Sequence, residues 1–179
     1  VLCRGFTREE TEDFLIELRY LGIDNVLAVR GDDSGYQKPL REGRSANRFA
    51  SDLVTQIDAM NHGRYLAEDL LDAEPSQFCI GVGGYPEKHF EAPNLSTDVR
   101  QLKAKIAAGA SYVVTQMFFD NRHYFAFVDA CRAAGITYRQ LDYWARTGLV
   151  EPTVRPAGGS GTQRLYGFRD ILVLKIVKR

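Results

Sequence analysis

The sequence predicts an α/β protein of parallel βα units, followed by a small, basic, helical module. Three short apolar segments of strand length alternate with helical patterns over residues 1–136. After residue 136 no similar strand pattern recurs, and the charge changes sign. Residues 1–136 carry 15 Lys and Arg against 20 Asp and Glu, whereas residues 137–179 carry 8 against 3. We therefore predict two domains, residues 1–136 and residues 137–179.

The first half of the α/β domain contains two helix patterns around one strand pattern. A helix is predicted between Thr7 and Gly22, because Thr7 and Glu10 have the spacing of a capping box and an apolar stripe follows them. Residues 25–30 form a short apolar strand pattern that runs into a turn-rich segment. Apolar residues at helical spacing predict a second helix over about 48–60.

The second half of this domain repeats the order strand, helix, strand, helix. Residues 78–82 predict a strand, and apolar residues at helical spacing over 99–106 predict a helix that Gly109 ends. Residues 112–118 predict the third strand, and residues 124–131 predict the helix after it. Strands at this spacing, with helices between them, are typical of parallel βαβ units.

The C-terminal module has a different character. Residues 138–146 form a short aromatic and basic helix pattern, residues 156–161 a glycine-rich loop, and residues 168–178 an apolar helix pattern. Arg and Tyr side chains on a short helix suit contacts with DNA phosphates and base edges. An amphipathic packing helix with a solvated cationic face explains the same pattern, and the residues alone leave both interpretations open.

Composition excludes several classes of protein. No apolar run approaches the roughly 20 residues that span a bilayer, and no signal-peptide pattern begins the sequence. The three cysteines are far apart and form no Cys-x-x-Cys pair, which disfavours a disulfide framework or a zinc site. We therefore expect a cytoplasmic protein with no metal site and no membrane partner.

In parallel α/β proteins, reactive side chains lie on the loops after the carboxyl ends of the strands. The residues that this rule selects are Arg30, Asp32, Tyr85, His89 and Gln116. The helix after the second strand adds three residues on one face, Asp98, Gln101 and Lys105. This combination of charges, rings and an amide suits an aromatic, phosphate-bearing cofactor. A local Arg30–Asp32 ion pair and a solvated helix face are the alternatives that the residues leave open.

Several motifs, taken in order, resemble the methylenetetrahydrofolate reductase family. They are residues 30–32, 49–54, 84–89, 91–92 and 115–120, and the resemblance covers residues 1–136 almost continuously. It implies part of an FAD-containing (β/α)8 barrel, or TIM barrel. Members of that family are oxidoreductases that pass a hydride from NAD(P)H through the flavin to methylenetetrahydrofolate. The product, methyltetrahydrofolate, serves methionine biosynthesis, a branch of one-carbon metabolism.

The same resemblance implies roles for individual residues. By position, the FAD contacts would be Arg30, Gly31, Asp32, Phe49, Ala50, Tyr85, His89, Ala92, Asp98, Gln101 and Lys105. Asp32 would also be the catalytic residue, close to the flavin and the folate substrate, and Gln116 would bind the pterin. Residues 1–3 look like the end of the family's third strand, so the segment with the proton donor has no counterpart. We therefore expect low or no reductase turnover, and we leave a homo-oligomer open.

A second resemblance covers residues 134–179. Residues 135–150, 163–166 and 169–171 resemble the winged helix-turn-helix of MerR-type transcription regulators, which implies double-stranded DNA as a partner. By position, the DNA contacts would be Arg139, Tyr143, Arg146, Arg164 and Tyr166. Residues 128–134 suit either family. We interpret the chain as a chimera, and a DNA-binding module and a non-functional or designed chain remain as alternatives.

Overall fold

A computed structural model describes residues 1–32, 39, 42–67, 70 and 72–136. The elements in chain order are α1 (Arg8–Tyr20), β1 (Asn25–Ala28), α2 (Ala50–Asn61), β2 (Cys79–Gly84), α3 (Leu95–Ala107), β3 (Tyr112–Thr115) and α4 (Asn121–Ala133). The predicted alternation of helices and strands is therefore confirmed. The predicted winged module, with its five proposed DNA contacts, lies outside the described residues.

The three strands form one parallel sheet in the order β1-β2-β3. Leu27 of β1 is paired with Gly81 of β2, and Gly81 with Tyr112 of β3. The first residues of the chain extend this sheet beyond β1, because Leu2 forms a parallel bridge with Val29. This arrangement is the parallel α/β architecture expected of part of a (β/α)8 barrel.

Glycine in β2 allows a large ring to cross the sheet. A Cβ atom on Gly81 would stand 2.7 Å from the hydroxyl oxygen of Tyr112 and closer to two of its ring carbons. Beyond Gly81, the Tyr112 hydroxyl donates a hydrogen bond to the carbonyl of Val26 at 3.4 Å. The ring therefore reaches from β3 over β2 to β1, and any side chain at position 81 would displace it.

The core lies between the sheet and the helices. Its largest fully buried side chains come from α1, α2, β2 and α4 and include Leu15, Leu53, Ile57, Val82 and Phe127. These are the apolar positions of the helical and strand patterns, which explains why periodicity located the elements correctly. Among the helices of the described residues, none has both the length and the apolar character needed to cross a bilayer.

The termini of the elements depend on local hydrogen bonds. Thr7 and Glu10 form the predicted capping box, with Thr7 Oγ1 accepting from the Glu10 amide at 3.2 Å and Glu10 Oε2 accepting from the Thr7 amide at 2.9 Å. The predicted start of α2 at about residue 48 was too early. The Asp52 carboxylate accepts from the amide of Phe49 at 2.9 Å, and the helix begins at Ala50.

Candidate functional site

Three loops meet at the carboxyl edge of the sheet. Arg30, Gly31 and Asp32 follow β1, the segment 85–94 follows β2, and Gln116 follows β3. Because the three strands are parallel neighbours, their carboxyl ends lie at the same edge. Gly31 has a φ of +86°, a conformation that side chains rarely adopt, so glycine suits this sharp departure from the sheet.

Tyr85 marks the point on which these segments converge. Burial raises the pKa of the Tyr85 hydroxyl, and the carboxylate of Asp98 raises that pKa further. Arg30 lowers the pKa of Tyr85, and Asp32 raises it by a smaller amount than Asp98 does. A residue after β2 therefore lies within electrostatic reach of residues after β1 and on α3, as expected if these side chains share one site.

His89 is held by ring contacts and by two backbone hydrogen bonds. Its ring lies 4.6 Å from that of Tyr85, edge to face, and 4.6 Å from that of Phe90, stacked at 29°. The amide of Glu91 donates to His89 Nδ1 at 3.2 Å, and the amide of His89 donates to Asp98 Oδ2 at 2.9 Å. An accepting Nδ1 carries no proton, so the neutral imidazole carries its proton on Nε2.

The face of α3 that carries Asp98 and Lys105 turns toward the sheet edge. Lys105 Nζ donates to the carbonyl of Gly83, near the end of β2, at 2.6 Å. Burial lowers the pKa of Lys105, while Asp98 raises it. These contacts contradict a purely solvated helix face for Asp98 and Lys105. Gln101, the middle residue of the predicted stripe, is exposed.

Arg30 forms an ion pair across two loops. Its Nη2 lies 2.6 Å from Glu91 Oε2, and the side chains are 27% and 44% exposed. Glu91 is a residue of this edge that the sequence reasoning did not select, although it stands in one of the quoted motifs, residues 91–92. The signal was present in that motif, but the pairing depends on how the loops after β1 and β2 approach each other.

The loop after β2 is fixed by a lysine in an unusual conformation. Lys88 has a φ of 76°, and its Nζ donates to the carbonyls of His89 at 3.1 Å and Ala92 at 2.6 Å. The amide of Ala92 donates back to the His89 carbonyl at 2.9 Å. These bonds hold the predicted contact Ala92 close to His89 and offset the strain at Lys88.

Two residues of the predicted FAD set, Phe49 and Ala50, lie at the start of α2. Burial raises the pKa of the Cys3 thiol to about 11, Asp52 raises it as well, and Arg30 lowers it. Cys3 is thus within electrostatic reach both of the first turn of α2 and of the loop after β1. Phe49 is 57% exposed and Ala50 half-buried at this helix start, and their role as FAD contacts remains a prediction.

Gln116 lies just beyond β3, whereas the sequence pattern extended that strand to residue 118. The strand ends at Thr115, but the Gln116 amide still donates to the carbonyl of Gly84 at 2.7 Å. Its side chain is exposed. The shorter strand therefore leaves Gln116 at the sheet edge, and its role as a pterin contact remains a prediction.

The chemistry of this edge fits an aromatic cofactor that carries phosphate. Tyr85 and His89 provide rings, Arg30 and Lys105 provide positive charge, and Asp98 provides hydrogen-bond acceptors. Within the part of the chain that the structure describes, no group of three or more His, Cys, Asp or Glu residues is arranged to hold a metal ion.

Comparison with known proteins identifies the family. Residues 1–141 match the family described as methylenetetrahydrofolate reductase. The chain belongs to the methylenetetrahydrofolate reductase family. Residues 127–179 match a second family, described as MerR HTH family regulatory protein. The two predicted resemblances are thus confirmed, and the chain joins sequences of both families.

Individual relatives fall into the same two groups. Methylenetetrahydrofolate reductase 1 of Schizosaccharomyces pombe is 34% identical over 174 residues, which are 96% of this chain and 26% of that protein. The 5,10-methylenetetrahydrofolate reductase of Pectobacterium carotovorum is 34% identical over 75% of this chain and 38% of its own length. An uncharacterised HTH-type transcriptional regulator of Mycobacterium tuberculosis is 78% identical over 50 residues, 28% of this chain and 22% of that regulator. The chain therefore spans well under half the length of these proteins.

The two family matches overlap at residues 127–141. The structure describes this overlap up to residue 136. There, Phe127, Val128 and Cys131 of α4 and Ile136 after it are buried, and Phe127, Cys131 and Ile136 belong to the core cluster of the α/β fold. The part of the overlap that can be described thus packs as the last helix of the reductase-like segment.

Proposed function

We propose that residues 1–136 are a flavin-binding segment of the methylenetetrahydrofolate reductase family, with FAD held at the carboxyl edge of the sheet. The observation that carries this proposal is a set of contacts at that edge. Arg30 pairs with Glu91 at 2.6 Å, the ring of Tyr85 lies 4.6 Å from that of His89, and the His89 amide donates to Asp98 at 2.9 Å. Family membership supports the choice of FAD as the cofactor, NAD(P)H as the electron donor and methylenetetrahydrofolate as the substrate. A cytoplasmic location remains a prediction from composition.

The residues of the site divide the work by their chemistry. FAD, when bound, supplies the hydride transfer between nicotinamide and folate. Arg30 and Lys105 neutralise anionic parts of the cofactor, and Tyr85 and His89 offer ring faces against which it is oriented. His89 can donate a hydrogen bond from Nε2, because Nδ1 already accepts one.

Asp32 and Gln116 act on the folate side of this proposal. Asp32 is exposed after β1 and brings a negative charge to the edge where the hydride is transferred. A fixed charge beside the reacting atoms changes the energy of the charge that develops during transfer. Gln116 has an amide that both donates and accepts hydrogen bonds, which suits the mixed edge of a pterin.

The first experiment measures flavin retention rather than turnover, because the chain spans only part of the reductases that it matches. The purified chain is incubated with FAD, free cofactor is removed, and the visible absorption spectrum is recorded. A retained flavin band that Arg30→Gln reduces supports the proposal. Arg64→Gln, at an exposed cation, serves as the control and should leave the band unchanged.

We propose DNA binding by residues 127–179 as a second function. The 78% identity to the mycobacterial regulator over 50 residues favours it. Fluorescence anisotropy with labelled duplex DNA should show affinity that falls steeply with added salt, since cations that neutralise phosphates release counterions. Arg139→Gln and Arg146→Gln should weaken that affinity. If the chain binds neither FAD nor DNA, the non-functional chimera is the remaining interpretation.

A further inference from the structure

Glu91 connects the two loops that carry the predicted flavin contacts. Its carboxylate accepts from Arg30 Nη2 at 2.6 Å, and its backbone amide donates to His89 Nδ1 at 3.2 Å. One residue thus contacts a side chain from the loop after β1 and a side chain from the loop after β2. Neither the motif reasoning nor the family match gave Glu91 a role.

The ion pair with Arg30 restricts a side chain that otherwise has many rotamers. The Arg30 side chain is only 27% exposed, so its charge is partly shielded from water and gains more from a partner than a fully exposed cation would. Holding a guanidinium in one orientation lowers the entropy that it loses when it meets a ligand.

The loop that carries Glu91 is itself firmly held. Lys88 Nζ donates to two carbonyls of this loop, and the amide of His89 donates to Asp98. Glu91 therefore offers its carboxylate from a fixed position rather than from a loose loop. The backbone bond from Glu91 to His89 Nδ1 depends on the same local geometry.

We infer that Glu91 is a positioning residue of the flavin site that acts through Arg30. This inference rests on the proposed function of the site as an FAD site. Its rival is that Glu91 competes with an anionic ligand for Arg30, which predicts a change of affinity of the opposite sign.

The test compares FAD dissociation constants of variants of the full chain, measured by quenching of flavin fluorescence at constant ionic strength. Glu91→Gln should weaken FAD binding about fivefold, the loss typical of one partly exposed ion pair. Glu91→Asp keeps the charge on a shorter side chain, and its FAD dissociation constant should lie between those of the wild type and Glu91→Gln. Glu87→Gln, at an exposed acid of the same loop, should change the constant less than twofold.

A double-variant cycle separates positioning from a purely structural role. In the Arg30→Gln background, Glu91→Gln should raise the FAD dissociation constant less than twofold, because the partner through which Glu91 acts is absent. The inference would be overturned if Glu91→Gln raised the FAD dissociation constant by the same factor in the wild-type and Arg30→Gln chains. Tighter FAD binding by Glu91→Gln would also overturn it. If Glu91→Gln fails to fold, as judged by thermal unfolding without FAD, Glu91→Asp in the two backgrounds makes the same comparison.

Failure of this inference and failure of the proposed function give different results. A wild-type chain that binds no FAD overturns both. A wild-type chain whose FAD binding is weakened by Arg30→Gln, but is equal in Glu91→Gln and Glu87→Gln, leaves the FAD site in place and removes Glu91 from it.

Discussion

Replacing Gly81 by alanine tests the packing that supports the candidate site. The new methyl group would stand 2.7 Å from the Tyr112 hydroxyl oxygen and closer to two ring carbons. Tyr112 is only 6% exposed and β3 is hydrogen-bonded to β2, so the ring has little room to move. Overpacking of this kind lowers the free energy of unfolding by about 1–3 kcal/mol. The preference of a strand for Ala over Gly raises it by about 0.5–1 kcal/mol.

The expected net loss in the free energy of unfolding is therefore about 1–2 kcal/mol. Urea denaturation measures this loss, and with a slope of about 1–3 kcal/mol per molar it lowers the midpoint by roughly 1 M. Gly83→Ala is the matched control on the same strand, since its Cβ would meet its nearest atom, the Tyr85 hydroxyl oxygen, at an ordinary 3.5 Å. Equal midpoints for the two variants would refute the reasoning.

Three further predictions concern individual side chains. Thr7→Ala removes the cap of α1 and should lower the free energy of unfolding by about 1 kcal/mol, measured by thermal denaturation. Hydrogen bonds from Arg122 lower the pKa of Asp120 to about 2. The stability that this carboxylate contributes should therefore persist above pH 3.8 and be lost as the pH falls toward 2. Acid titration of Asp120→Asn should show no such pH dependence. Burial raises the pKa of Cys3 and of Cys131 to about 11, so neither thiol should react with Ellman's reagent at pH 8 until the protein unfolds.

The secondary structure could be predicted because its signals are local. The Thr7–Glu10 capping box and the apolar spacing of Leu15 and Leu53 depend on residues a few positions apart. Errors occurred at the ends of elements. The start of α2 depends on the hydrogen bond between Asp52 and the Phe49 amide, which spacing alone does not reveal.

The candidate site could be predicted only in part. The rule that reactive residues follow parallel strands selected Arg30, Tyr85 and His89, and the structure has all three at one edge of the sheet. Their role as flavin contacts stays a prediction. It could not find Glu91, because its ion pair with Arg30 joins residues 61 positions apart along the chain. Such a contact depends on the order of the strands and on the conformations of the loops that follow them, which no local sequence pattern encodes.

The central claim is that the carboxyl edge of this sheet binds FAD. The most direct test is the visible absorption spectrum of the purified chain after incubation with FAD and removal of the free cofactor. We predict a retained flavin band that is reduced by Arg30→Gln and unchanged by Arg64→Gln. A colourless wild-type protein, or a band that is equal in all three proteins, would contradict the claim.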